Sequence, residues 1–219
     1  MKILMIVTSH DKLGNTGNAT GLFLSELSHP YEVFKKNGIQ VDIASPNGGK
    51  APIDPNSLQA EDVQPFKHLA DATLKLSAIN TDDYAGVFIV GGHGTMYDLP
   101  TSKDLQRILI EADSAGKIVA SVCHGQAGLI NVVDKNGEYL FKSRKLTAFS
   151  NAEESQIGLS GVVPFSLEDE LTQRGSNYSC GAPWQEHVVV DQNLVTGQNP
   201  ASAKRMAEVI SKMVETASA

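Results

Sequence analysis

The stretch Gly116-Lys117-Ile118-Val119-Ala120-Ser121-Val122-Cys123-His124-Gly125-Gln126-Ala127-Gly128 decides the fold. Ile118 to Val122 is a short, continuous apolar run that begins just after Gly116. A run of this kind, without polar alternation, reads as a strand buried on both faces of a parallel sheet. Gly125, Ala127 and Gly128 follow at once, with Leu129 and Ile130 behind them, which predicts a tight turn into a helix. Cys123 falls at the turn. A residue at such a bend projects its side chain into a cleft, and only small neighbours fit beside it. The positive end of the following helix favours thiolate over thiol. Cys123 therefore reads as a nucleophile, against the alternative of a small, buried structural cysteine.

The same strand-then-turn pattern recurs outward from this point. Tyr84 to Val90 is fully apolar and runs into Gly91-Gly92-His93-Gly94, while Lys2 to Thr8 and Ile39 to Ser45 supply two more strands. The polar loop Ser9 to Asn18 follows the first of them, where ligands bind in doubly wound sheets. A helical segment begins near Thr20, with Leu24, Leu27, Tyr31 and Phe34 at helical spacing. Pro30 predicts a kink or two abutting helices there. Lys103 to Ala115 is amphipathic through Leu105, Ile108, Leu109 and Ala112. Helical pieces are expected over residues 57 to 80, around Leu69, Leu74 and Leu76. Tyr139 to Phe141 and Lys145 to Phe149 read as a hairpin or strand pair. Pro164 to Arg174 reads as a helix, His187 to Val190 and Leu194 to Thr196 as a hairpin, and Ala201 to Glu215 as the last helix. The alternation predicts one α/β domain over residues 1–219, a mostly parallel sheet with helices on both faces.

The totals exclude several classes. With 41% hydrophobic and 20% charged residues the chain can fill a core, and its net charge of -7 with no basic run argues against a nucleic-acid partner. Two cysteines imply no disulfide framework and a reduced, cytoplasmic setting. No apolar run approaches membrane-spanning length, and the first strand is too short for the apolar part of a signal peptide.

Further positions carry chemistry. The glycines of Gly91-Gly92-His93-Gly94 allow backbone N–H groups to approach a substrate oxygen, and with the N–H of His124 they can form an oxyanion hole. The segment is not a dinucleotide fingerprint, since G-x-G-x-x-G is absent. His124 can serve Cys123 as a base, or it can simply cap the following helix. Glu26 sits among Phe23, Leu24 and Leu27, and spacing alone favours the solvent edge over a buried, proton-bearing carboxyl. Glu153 and Glu154 end a strand-like run, where a carboxylate can orient His124 or open a helix. Trp184, the only tryptophan, reads as pocket wall or plain core. The spacing of His10, His29, His68 and His187 offers no metal site.

Taken together, Ala120-Ser121-Val122-Cys123-His124-Gly125, Val90-Gly91-Gly92-His93-Gly94 and Glu26 resemble the ThiJ/PfpI superfamily, with its class I glutamine-amidotransferase-like, flavodoxin-like fold. Ser45-Pro46-Asn47-Gly48-Gly49, Thr147 to Glu154, Pro183-Trp184 and Leu194 to Ala203 resemble its heat-shock-chaperone and glutathione-independent glyoxalase branch. The resemblance implies Cys123 as nucleophile, His124 as its histidine and Glu154 as triad acid, by matching the family's Phe-Thr-Asp-x-x-Glu to Phe149 through Glu154; Glu153 remains the alternative. It places Glu26 at the cysteine sulfur, against the spacing, and the oxyanion hole at Gly92 and the His124 backbone, with His93 and Trp184 beside the substrate. It implies a homodimer that converts methylglyoxal to lactate through a Cys123 hemithioacetal, without metal or organic cofactor. Other activities in the superfamily are a holdase chaperone, a cysteine-oxidation sensor and a deglycase or peptidase using the same triad.

Overall fold

A computed structural model describes residues 1–217. The decisive run forms β5, and the elements around it are, in chain order, β1 (Lys2–Ile6), α1 (Leu24–Lys36), β2 (Gln40–Ser45), β3 (Leu74–Lys75), β4 (Gly86–Ile89), α2 (Thr95–Asp98), α3 (Lys103–Ser114), β5 (Ile118–Val122), β6 (Lys145–Leu146), α4 (Asn151–Gln156), α5 (Leu167–Gln173), β7 (Asn177–Tyr178), β8 (Val188–Asp191), β9 (Leu194–Gly197) and α6 (Ala203–Ala217). Seven strands form one sheet in the order β3-β2-β1-β4-β5-β9-β8. All neighbours are parallel except β8 and β9, the hairpin at one edge.

The apolar runs lack alternation because both faces of the sheet are covered. Leu4 and Ile6 of β1 pack toward α3, against a core that includes Leu105, Ile108 and Leu109. Ile3 and Met5 face the other way, toward Leu27 and Phe34 of α1 and Met206 and Ile210 of α6. Either face alone would leave half of each strand's side chains in water, which costs about 1.5–3 kcal/mol for each large one. The strand order reverses between β1 and β4, so the crevice at their C-terminal ends is the place where this architecture binds ligands.

Several local expectations are corrected. Helix α1 runs unbroken through Pro30 and starts at Leu24, four residues later than Thr20. Of the helical pieces expected over residues 57 to 80, Leu69 and Leu76 do lie in short 3-10 helices, whereas Leu74 lies in a short strand paired with β2. Tyr139 bridges back to Val133, while Lys145–Leu146 pairs in parallel with Asn177–Tyr178, so the expected hairpin does not form. The turn after β5 is a 3-10 helix over Cys123–Leu129. Among the described residues, no helix is long and apolar enough to cross a membrane.

Candidate active site

The end of β5 places Cys123 at φ +60, a left-handed conformation that costs a non-glycine residue about 1–3 kcal/mol and persists only where its surroundings enforce it. The glycine pair after β4 makes room beside it. A Cβ on Gly91 would lie 2.3 Å from Glu26 Oε2 and 2.9 Å from Cys123 Cβ. Gly92 adopts φ +106, and a Cβ there would meet Gly21 O at 2.3 Å. Glycine is therefore required at both positions by close approach, and at Gly92 by backbone angle as well.

Glu26, in the first turn of α1, is fully buried, against the spacing argument. Its Oε2 accepts a hydrogen bond of 2.8 Å from Gly91 N–H, and its carboxyl contacts the Cys123 thiol. Its Oε1 has no hydrogen-bond partner. Burial pushes the carboxyl up to about 8, outweighing the hydrogen bonds from Cys123 and Gly91. Burial also pushes the Cys123 thiol up, and the adjacent Glu26 adds to the effect. The expected lowering by a helix N-terminus does not win. The two groups share one desolvated space in which a second negative charge has no cation to meet it, so they titrate as a coupled pair.

His124 is wedged between Cys123 and Glu154. Its Nδ1 lies 3.3 Å from Sγ and its Nε2 lies 2.6 Å from Glu154 Oε2. A proton on Nε2 donated to Glu154 leaves the Nδ1 lone pair facing the sulfur. Burial, helped by the nearby His93, lowers His124 to about 4, so its imidazole is neutral at pH 7. Burial tends to raise Glu154, but hydrogen bonds from His124 and His93 outweigh it and hold the carboxylate below its ordinary range. His93 Nε2 lies 2.8 Å from the second oxygen of Glu154, and the two imidazole centroids are 3.9 Å apart. His93, His124 and Glu154 have ligand atoms within 4.8 Å of one another, a set that could hold a metal ion. As it stands, the carboxylate meets both rings at hydrogen-bond distance.

Stability depends on pH through these groups. Glu26 has a folded-state pKa of about 8 against 4.5 for the ordinary carboxyl. Its contribution is full below 4.5 and is lost as pH rises through about 8. His124 works in the opposite sense, losing its contribution as pH falls from 6.5 through about 4. The two slopes oppose each other below 6.5, and only that of Glu26 remains between 6.5 and 8. Unfolding free energy should therefore fall as pH rises through that window, by on the order of 1 kcal/mol per pH unit. Glu26→Gln should flatten the fall. Urea unfolding at the two ends of the window, for wild type and variant, measures it; an equal slope in both would exclude Glu26 as its source.

Cys123, Gly92, His93 and His124 open into a cavity of about 600 Å³ whose wall includes Phe23, Phe149, Leu159 and Trp184. Phe149 lies against His124, with centroids 4.3 Å apart, and Trp184 packs on Phe149 at 5.5 Å. Trp184 is 41% exposed and belongs to the wall rather than the core. Asp54 and Asn56, from the loop that follows β2, and Leu13 and Asn18, from the loop after β1, also line the cavity. Sequence reasoning placed these loops at the right end of the sheet but did not single out Phe149, Phe23 or Leu13. Phe149 had one signal, its place directly before the Ser150-to-Glu154 segment.

The fold and this crevice define an α/β protein with a cysteine at the bend after its central strand. The sequence profile of the DJ-1/PfpI family matches residues 19–213, and the chain belongs to that family. It is 33% identical to Glyoxalase 3 of Candida albicans, with 95% of this chain and 96% of that protein covered. It is 35% identical to the glutathione-independent glyoxalase HSP31 of Saccharomyces cerevisiae, covering 94% of each. Among solved structures, glyoxalase III from Candida albicans superposes with a TM-score of 0.88 at 32% identity, covering 96% of this chain and 95% of that one. Rapid Encystment Protein 24 KDa of Francisella tularensis superposes with a TM-score of 0.92 at 39% identity, covering 96% of this chain and 97% of that one.

Proposed function

We propose that this protein is a glutathione-independent glyoxalase that converts methylglyoxal and other small 2-oxoaldehydes to the 2-hydroxy acid, lactate in the case of methylglyoxal. The observation that carries the reading is Cys123 Sγ flanked by two proton-carrying groups, Glu26 and His124, at the floor of the cavity. The relatives named Glyoxalase 3 and glutathione-independent glyoxalase HSP31, each matched along nearly its whole length, support it.

The chemistry follows from these positions. Sγ attacks the aldehyde carbon, a C–S bond forms, and the thiol proton ends on the carbonyl oxygen to give a hemithioacetal. The hydrogen on that carbon then leaves as a proton and returns to the neighbouring carbon through an enediol. The first carbon is thereby oxidised and the second reduced, with no external electron carrier. Glu26 and His124 are the two groups placed to carry that proton, each beside the sulfur. Backbone N–H groups at Gly92 and His124 steady the developing oxyanion. Water then attacks the thioester, helped by His124 held against Glu154, and the C–S bond breaks to release lactate and the thiol. A homodimer and a cytoplasmic setting belong to the same reading.

The test is lactate formation from methylglyoxal by the purified protein, without added glutathione. Steady lactate production is expected. Its absence from folded protein with a reduced Cys123 would sink the assignment. Among the exposed large apolar side chains of the described residues, Leu74 and Val190 lie on different strands, while Ile157 and Trp184 line the cavity and serve the substrate reading.

A further inference from the structure

We infer that Glu153, the neighbour of the proposed triad acid, is a positioning residue that holds the Trp184 wall of the cavity in place and so sets substrate binding rather than chemistry. The inference rests on the cavity being the substrate site of the reading above.

Consecutive carboxylates in the first turn of α4 serve different sides of the structure. Glu154 reaches the two imidazoles. Glu153 is fully buried, and five donors converge on it, all from uncharged groups. Ser150 N–H at 3.0 Å, Ser150 Oγ at 2.9 Å and Gln198 Nε2 at 3.1 Å donate to Oε2. Trp184 N–H at 2.9 Å and Asn199 Nδ2 at 2.8 Å donate to Oε1. Among the described residues, no lysine, arginine or histidine forms an ion pair with it.

Burying a carboxylate without a cation is costly unless every lone pair is satisfied. An ordinary helix start does not call for that cost. The bonds at Ser150 are a capping box, which Gln would serve as well as Glu. What requires a carboxylate is the far side, where Trp184 and Asn199 both present donors. Trp184 sits at φ +64, a strained position for a residue with a side chain, so its backbone needs an external hold. A second bond, from its indole Nε1 to Gln156 Oε1 at 2.6 Å, ties the ring to the same helix. The indole then packs on Phe149, which packs on His124. Glu153 thus fixes one wall of the cavity without touching the cavity itself, since it is absent from the lining that Trp184 belongs to.

Glu153→Gln isolates this role. With its oxygen kept at Ser150, the new amide NH₂ would face the donors of Trp184 and Asn199, and that wall would loosen while the helix start stayed intact. For methylglyoxal turnover, KM should rise about 10-fold with kcat within about 3-fold of wild type, the pattern of lost substrate binding. Because Trp184 is the only tryptophan, its fluorescence reports the wall directly and needs no turnover. Its emission should move to longer wavelength and its quenching by acrylamide should increase. A large fall in kcat at unchanged KM would overturn the inference by making Glu153 part of the proton relay. Unchanged emission and quenching would overturn it equally. A wild type that makes no lactate would end the glyoxalase reading, and the fluorescence arm would still decide whether Glu153 holds Trp184. If Glu153→Gln fails to fold, Asn199→Ala removes one donor from the same oxygen. It should shift the emission in the same direction by a smaller amount, and no shift there would overturn the inference.

Discussion

Cys123→Ala should abolish lactate formation, lowering kcat by about 10⁵-fold or more, because Cys123 is the one thiol among the described residues that line the cavity. Cys180, the second cysteine, is exposed and does not line the cavity, so it offers no substitute. The lesion is chemical rather than architectural. Alanine at φ +60 carries the same backbone strain as cysteine, and the surroundings that enforce it are unchanged. The lost sulfur is one buried atom, worth about 1 kcal/mol. Melting temperature should therefore move by only a few degrees while turnover disappears. Cys123→Ser sharpens the point. It keeps the shape and a hydrogen bond to Glu26, but a hydroxyl is a far weaker acid and nucleophile in a site that already disfavours the anion. Lactate from Cys123→Ala at a rate near that of the wild type would exclude Cys123 as the nucleophile.

Which parts of this arrangement were legible in the sequence follows from the range of the forces involved. The runs at Ile118 to Val122, Tyr84 to Val90 and Lys2 to Thr8 announced a parallel sheet because burial on both faces is written into consecutive residues. Small residues after Cys123 announced the bend because sterics at a turn are local. Glu26 was different. Its helical neighbours do not reveal that Gly91 N–H and the Cys123 thiol lie opposite it, so spacing put it at the solvent edge and only resemblance put it at the sulfur. The same limit explains the missed pairing of Lys145–Leu146 with Asn177–Tyr178, where both strands are two residues long and carry little pattern. It also explains Leu74, which lies exposed in a two-residue edge strand whose pairing with β2 is not written in its neighbours. For the two adjacent glutamates, pattern and resemblance each caught one role. Ser150-x-x-Glu153 is a capping box, as helix-start acids predict, and the family stretch pointed to Glu154, whose carboxylate meets His124.

Glu154→Gln should lower kcat by about 10³–10⁴-fold while leaving the sulfur able to react once, and this separates its role from that of Cys123. A glutamine has one acceptor and one donor end where Glu154 now offers an oxygen to each of two imidazoles. If its NH₂ faces His124, Nε2 must accept, and the ring proton moves to Nδ1, toward Sγ. The lone pair that faced the sulfur at 3.3 Å is then gone. If its NH₂ faces His93 instead, His124 keeps its tautomer but loses the anion that supports a positive ring, and burial already opposes that charge. Either orientation weakens His124 as a base for the water step. Addition of the thiol needs less from it, because Glu26 still adjoins the sulfur. Under excess methylglyoxal the variant should therefore gain the mass of one substrate molecule on Cys123, as hemithioacetal or thioester, and release it slowly. The wild type should show no such adduct at steady state. Full turnover in Glu154→Gln would remove Glu154 from the relay, and loss of turnover without an adduct would place its effect before the C–S bond rather than after it.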